Sequence, residues 1–170
     1  KRVIIFSPHP DDDVISMGGT LKRLVDQKHD VHVAYETSGN IAVGDEDMMR
    51  YFLMMDKIAP MFGFGTDDYK ELSKKVRTFV DGKKAGDVDI PEIREIKTMI
   101  RQAEATIACN YIGVKPQNIH FLRLPFYETG TIKKGDLSEA DIDRVKALLE
   151  EVKPHQIFVA GDLADPHGTH

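Results

Sequence analysis

Residues 3–19 read VIIFSPHPDDDVISMGG, and this stretch decides the fold. Residues 3–6 are all apolar, which indicates a strand that is buried on both faces. The strand runs directly into a polar loop in which two prolines flank His9 and hold it in an extended conformation. Residues 17–19 then predict the opening of a helix. A buried strand, a polar loop and a helix in this order are typical of a parallel α/β sheet.

Three further apolar runs predict strands of the same kind, at residues 31–35, 119–124 and 157–160. Between the runs, apolar residues recur with the period of a helix, at residues 17–25, 93–111 and 142–152. Strands that alternate with helices need crossover connections, which cover both faces of a parallel sheet with helices. We therefore predict a Rossmann-like, doubly wound α/β fold with a mostly parallel sheet.

Capping signals mark the ends of two of these helices. Asp89 and Glu92 have the spacing of a capping box at the start of the middle helix, and Gly113 has the character of its C-cap. Ser138 and Asp141 repeat the capping pattern at the start of the last helix. We therefore expect these two helices to begin and end close to those residues.

Residues 41–90 form an insertion-like stretch, with candidate helices at residues 48–55 and 67–80. The sequence contains no internal repeat, low-complexity tract or linker, so we expect this stretch to belong to one domain of residues 1–170. The sequence starts at Lys1 without an initiator Met, which leads us to expect a domain that is truncated at this end.

The charge balance and composition exclude some classes of partner. The 170 residues include 23 Lys and Arg against 28 Asp and Glu, a formal net charge of -5, so no basic face for nucleic acid is expected. No stretch approaches the roughly 20 apolar residues of a membrane span. Cys109 is the single cysteine, which excludes an intrachain disulfide and fits a reducing compartment. We predict a cytoplasmic protein without nucleic-acid or membrane partners.

One histidine and three carboxylates follow the first strand, at His9, Asp11, Asp12 and Asp13. Ligands bind beyond the carboxyl ends of the strands in open parallel sheets, so a functional site is expected here. Adjacent carboxylates repel each other unless a cation neutralises them or one stays protonated. The alternative is a helix N-cap, which needs only one of these aspartates.

A second polar cluster, residues 162–170, follows the fourth strand and contains His167 and His170. These two histidines, His9 and one aspartate include enough nitrogen and oxygen donors for the three protein ligands of an open catalytic zinc site. Fe²⁺ accepts the same ligand types. The alternative interpretation is a polar terminal loop or the remnant of a tag.

Other candidate motifs favour structural roles. We expect the remaining histidines to be surface or packed residues; they are His29, His32, His120 and His155. Gly18 and Gly19 lack the three-glycine spacing of a dinucleotide-binding loop, so an NAD-dependent enzyme is not expected.

The run His9-Pro10-Asp11-Asp12 resembles the opening motif of the LmbE-like (PIG-L) metal-dependent N-deacetylases. Residues 37–40, 101–104 and 167–170 are similar to three later motifs of that family. The resemblance is greatest to LmbE-like domains joined to a glucosamine-6-phosphate deaminase-like domain, which implies such a joined domain in the full chain. The family continues well beyond the position of His170, which implies truncation at this end as well.

The resemblance implies a role for seven residues. His9, Asp12 and His170 correspond to the zinc ligands of the family. Asp11 corresponds to its general base and His167 to the residue that stabilises the developing oxyanion.

Two further residues correspond to substrate-binding positions. Arg101 corresponds to a residue that orients Asp11 or holds substrate. Asn40 stands where the family has a glutamate that touches the sugar, so the identity of the sugar cannot be carried over.

The expected function is zinc-dependent hydrolysis of the N-acetyl group of an N-acetylglucosamine-containing small molecule. One alternative is a metal-dependent phosphoesterase, which would use the same metal site to hydrolyse a phosphate ester instead of an amide. A second alternative is a non-catalytic sugar-binding or regulatory domain of a larger glucosamine-phosphate enzyme. A homo-oligomer is compatible with all three.

Overall fold

A parallel sheet forms the centre of the fold. The computed structural model describes residues 1–161, 164 and 169–170. The strands of this part are Arg2–Ser7 (β1), Asp30–Tyr35 (β2), Ile119–Phe121 (β3) and Gln156–Phe158 (β4). They form one sheet in the order β3-β2-β1-β4, and each adjacent pair is parallel. The predicted α/β fold class is confirmed.

Helices connect the strands. The described helices are Asp12–Asp26 (α1), Asp45–Phe62 (α2), Asp67–Gly82 (α3), Pro91–Ile112 (α4) and Glu139–Val152 (α5). Short 3-10 turns occupy Asn40–Ala42 and Pro116–Asn118. None of the helices in the described part of the chain has the length and apolar composition that a membrane crossing requires.

Both faces of the sheet are buried under helices. Successive residues of a strand point to opposite faces. Tyr35 of β2 packs in one fully buried cluster with Leu21 of α1 and Cys109 of α4. Ala34 packs on the other face with Leu148 of α5. The central strands therefore lie between two layers of helices, as predicted for a doubly wound sheet.

The contacts divide the chain into two compact units. One unit comprises Lys1–Gly39 and Arg101–His170, and the other comprises Asn40–Ile100. The second unit has its own apolar core, which contains the fully buried Met48 of α2 and Val76 of α3. The expectation of a single domain, 1–170, with an insertion-like stretch at 41–90 and truncated ends stays a prediction.

The first helix begins earlier than the sequence predicts. α1 begins at Asp12, and the expected start at Met17 is instead a kink with φ −147° and ψ 24°. Acidic residues stabilise a helix N-terminus, and Asp12 and Asp13 occupy the first turn. The polar residues after β1 therefore belong partly to the helix.

The middle helix also starts differently. α4 begins at Pro91, a residue type favoured at the first helical position. Asp89 lies outside it, and its carboxylate accepts hydrogen bonds from Lys83 and Lys97 at 2.6 and 2.7 Å. At the other end Gly113 has a φ of +101°, which agrees with the predicted C-cap.

Candidate metal centre

The loop between β1 and α1 folds back on itself. Asp12, the first residue of α1, accepts a hydrogen bond from the His9 backbone N–H through Oδ2 at 2.8 Å. The same oxygen lies 3.1 Å from Nδ1 of His9. The backbone bond and the ring contact together hold the imidazole beside the carboxylate.

His170 approaches the same carboxylate. Its Nε2 lies 3.5 Å from Oδ2 of Asp12, and one ligand atom of each of His9, Asp12 and His170 lies within 4.8 Å of the other two. Two ligands at about 2.1 Å from a tetrahedral zinc ion are about 3.4 Å apart. Two imidazole nitrogens and one carboxylate oxygen are also a donor set found in catalytic zinc sites. Both the spacing and the chemistry of these residues therefore fit a divalent metal ion.

The electrostatic environment of His9 suits metal binding. Burial lowers the pKa of His9 below its ordinary value, and the adjacent Asp12 carboxylate opposes this shift. A neutral imidazole is the form that binds a metal ion. The environment therefore favours the ligating form of His9 near neutral pH.

Asp11 is held by an arginine rather than by a helix end. It occupies the N-cap position of α1, but its side chain makes no capping hydrogen bond. Instead Nη2 of Arg101 donates to Oδ2 of Asp11 at 2.8 Å and to the carbonyl of Pro10 at 3.3 Å. The Asp11 side chain is 44% exposed, so it remains accessible to water. Asp11 therefore occupies the cap position without making the side-chain hydrogen bond of a helix cap.

Gly39 packs tightly against this arrangement. Its φ is +63°, and a Cβ atom there would lie 2.8 Å from Cδ of Pro10 and 3.3 Å from Nε of Arg101. Both the left-handed backbone and the close approach require glycine at this position. The chain after β2 thus supports the arginine that binds Asp11.

Two residues near the candidate metal ligands were missed by the sequence analysis. Burial raises the pKa of Glu36, and the charge of Asp12 adds to this shift while His170 opposes it. Glu36 follows β2 directly, so the rule that placed a site at the strand ends could have found it. The Tyr127 ring is buried and meets the His9 ring edge to face, with centroids 5.8 Å apart. Nothing in the sequence around Tyr127 signals this contact.

Some predicted site residues are not part of this geometry. His167, with Asp162 and Asp165 of the same cluster, lies outside the described residues. Asn40 begins a 3-10 turn in the second unit and is 5% exposed. The roles assigned to His167 and Asn40 stay predictions.

Two of the remaining histidines form a pair on the sheet. Nδ1 of His32 on β2 lies 3.0 Å from Nε2 of His120 on β3. The ring centroids are 5.3 Å apart and the planes differ by 10°. The distance between the centroids equals about the nitrogen–nitrogen distance plus the two ring radii. The two centroids and the two nitrogens therefore lie on one line, and the rings meet edge to edge in one plane. Such collinear nitrogens share one proton in a hydrogen bond.

Comparison with known families gives a match over residues 4–170 to PIG-L, the GlcNAc-PI de-N-acetylase family. The match spans the strand ends that carry the candidate ligands. The chain belongs to the PIG-L family. The resemblance seen in the sequence motifs is therefore confirmed.

Three relatives extend the comparison of this PIG-L chain. A Bacteroides thetaiotaomicron protein described as glucosamine-6-phosphate deaminase-like is 58% identical over 171 residues, which are 100% of the chain and 26% of the relative. A diacetylchitobiose deacetylase of Thermococcus kodakarensis is 29% identical over 105 residues, 59% of the chain and 35% of the relative. A Bacillus cereus protein described as N-acetyl-alpha-D-glucosaminyl L-malate deacetylase 2 is 24% identical over 170 residues, 100% of the chain and 54% of the relative. The PIG-L chain thus spans about a quarter to a half of the length of these proteins.

Proposed function

We propose that this PIG-L domain is a metal-dependent N-deacetylase that removes the N-acetyl group from an N-acetylglucosamine-containing small molecule. The observation that carries the proposal is the convergence of His9, Asp12 and His170 on one point. Membership of a de-N-acetylase family and two relatives with deacetylase names support the reaction class. The proposed ion is Zn²⁺, with Fe²⁺ as the alternative for the same ligands.

The ion is needed because an amide is a poor electrophile. Zn²⁺ held by these ligands would supply a Lewis acid for the amide carbonyl and lower the pKa of water to about 7. Asp11 is the proposed general base, since it lies beside ligand Asp12 and remains accessible to water. It takes the proton of the attacking water and passes it to the amine nitrogen as the C–N bond breaks.

Other residues of the chain hold or complement this base. Arg101 keeps the Asp11 carboxylate in one orientation through the 2.8 Å hydrogen bond. His167 is proposed to donate a hydrogen bond to the oxyanion that develops at the carbonyl oxygen of the amide. Asn40 is proposed to contact the sugar, a role supported only by its place in the family motif.

The comparison with one relative concerns the domain that would accompany this one in the full chain. The match covers 26% of the deaminase-like relative, which supports the prediction that a deaminase-like domain is joined to this one in the full chain. The cytoplasmic location and a homo-oligomeric state stay predictions.

The deciding experiment combines metal analysis with product detection. The freshly purified protein is expected to contain about one divalent ion per chain and to release free amine from a panel of N-acetylglucosamine conjugates. Release of inorganic phosphate from sugar phosphates without amine release would instead show a phosphoesterase. Sugar binding without turnover would show a regulatory domain. Asp143→Ala, a change at an exposed carboxylate of α5, is the control and is expected to leave metal content and amine release unchanged.

A further inference from the structure

Ser7, the last residue of β1, makes hydrogen bonds to both ends of the segment that carries His9 and Asp12. The Ser7 hydroxyl donates to the carbonyl of His9 at 2.6 Å and accepts from the backbone N–H of Asp13 at 3.0 Å. Ser7 is 0% exposed, so both hydrogen bonds are shielded from water. Because His9 and Asp12 lie between these two anchor points, the Ser7 hydroxyl sets the distance between two candidate metal ligands.

Asp13 is itself fixed by a chain of buried donors. The Tyr35 hydroxyl donates to Oδ2 of Asp13 at 3.0 Å and lies 3.2 Å from Sγ of Cys109. Since the only hydroxyl proton of Tyr35 goes to the carboxylate, the Cys109 thiol is the donor to the Tyr35 oxygen. Three elements, α1, β2 and α4, therefore meet in one hydrogen-bonded chain, and such chains strengthen cooperatively in a buried setting.

We propose that Ser7 and Tyr35 are positioning residues for the metal centre, which hold His9 and Asp12 at the spacing the ion requires. Ser7 acts through the His9 carbonyl and the Asp13 N–H, and Tyr35 acts through the Asp13 carboxylate. The inference rests on the proposed function, since it assigns these residues to that same metal site. Both residues are fully buried, and neither belongs to the candidate ligand set. Groups that orient metal ligands from behind typically change metal affinity 10- to 100-fold when removed.

The geometry distinguishes this role from core packing alone. Tyr35 fills the core with its ring, which stacks on Phe121 at a centroid distance of 5.2 Å. Tyr35→Phe keeps this ring and removes only the hydroxyl bonded to Asp13. A role confined to packing therefore predicts no change in the metal centre of this variant.

The test measures Co²⁺ binding to the metal-stripped protein, by equilibrium titration and by the visible absorption of the bound ion. In Tyr35→Phe we expect Co²⁺ affinity to fall about tenfold and the spectrum to change, because the ligand geometry relaxes. With the Zn²⁺-loaded protein we expect kcat to fall while KM stays close to its original value. Ser7→Ala is expected to act in the same direction, and the two effects are expected to be non-additive because both groups hold one loop.

Tyr69→Phe is the matched control. It removes another tyrosine-to-aspartate hydrogen bond, the 2.6 Å contact with Asp56 in the second unit, and is expected to leave the Co²⁺ titration and spectrum unchanged. Should Tyr35→Phe fail to fold, as judged by circular dichroism, Ser7→Ala decides the question by the same readouts. Unchanged affinity and spectrum in a folded variant overturn the positioning role while the metal site stands. If the unsubstituted protein binds no Co²⁺, both the positioning role and the proposed function fall.

Discussion

Arg101 binds Asp11 and the backbone of the same loop with one nitrogen, at 2.8 Å from Oδ2 and 3.3 Å from the Pro10 carbonyl. A second guanidinium nitrogen donates to Glu104 on the next turn of α4 at 3.2 Å. The planar guanidinium is thus fixed at both ends, and the Arg101 side chain is only 16% exposed. The base proposed for the reaction is held by a donor with little freedom to move.

Replacing the arginine should slow the reaction without releasing the ion. In Arg101→Lys the charge stays, but the planar fork whose two nitrogens reach Asp11 and Glu104 is lost. We expect kcat to fall about 100-fold, the scale of a misplaced catalytic group, with metal content unchanged. The assay is amine release together with metal analysis. Arg77→Lys, at the Arg77–Asp56 ion pair, is the control. Full activity in Arg101→Lys would show that the hydrogen bond from Arg101 to Asp11 does not contribute to the reaction.

Asp11 and Asp12 should respond differently to the same substitution. Asp12→Ala removes a ligand oxygen and is expected to lose both metal and activity. Asp11→Ala is expected to keep the metal and to lose about 10²–10⁴ in kcat, the usual contribution of a general base. Metal analysis of both variants separates the two roles. Metal loss in Asp11→Ala with retention in Asp12→Ala would reverse the assignment.

The glycine behind the arginine gives a third prediction. Gly39→Ala places a methyl group 2.8 Å from Pro10 and 3.3 Å from Arg101, so one of them must move. Gly63→Ala is a matched control, since Gly63 has a φ of +74° and open space around the added Cβ. Both variants are expected to lose about 1–2 kcal/mol of unfolding free energy from the left-handed backbone. Only Gly39→Ala is expected to lose activity as well, which urea unfolding and amine release together can test.

The histidine pair should make stability depend on pH. Burial lowers the pKa of both His32 and His120, and the charge of Asp30 opposes the shift at His32. The unfolded chain therefore binds protons that the folded chain excludes, and stability falls as the pH drops below about 6.5. In His120→Leu we expect a shallower loss of unfolding free energy between about pH 7 and pH 5. Urea titrations over this range measure the slope, and an equal slope in the variant would remove the pair as the cause.

Strands could be predicted where the local pattern of apolar residues determines them. The end of a strand could not be predicted where an unusual backbone conformation terminates it. The run at residues 119–124 predicts six strand residues, whereas β3 ends at Phe121. Leu122 and Leu124 still donate to the backbone of residues 35 and 36, but Arg123 has a φ of +47°. A left-handed arginine is rare and leaves no mark in the sequence, so the early end of β3 could not be foreseen.

In the candidate site, too, some features could be predicted from the sequence and others could not. The convergence of His9 and His170 could be predicted because parallel strands end at one edge of the sheet. The bonds between Asp13, Tyr35 and Cys109 could not, because each residue fits an ordinary core or capping role within its own element. Contacts that join three elements through single side chains depend on tertiary packing, which has no periodic signature.

The pairing of the strands determines how the proposed ion would affect the stability of the sheet. β1 joins β2 through six residue pairs but joins β4 through only three. Asp12 follows β1 and His170 follows β4, so an ion shared by both would cross-link two strands separated by most of the chain. Ligand binding to the folded state at 100 times its Kd adds about 2.7 kcal/mol of stability. Chelation would remove this added stability and leave β4 joined to β1 by its three residue pairs alone.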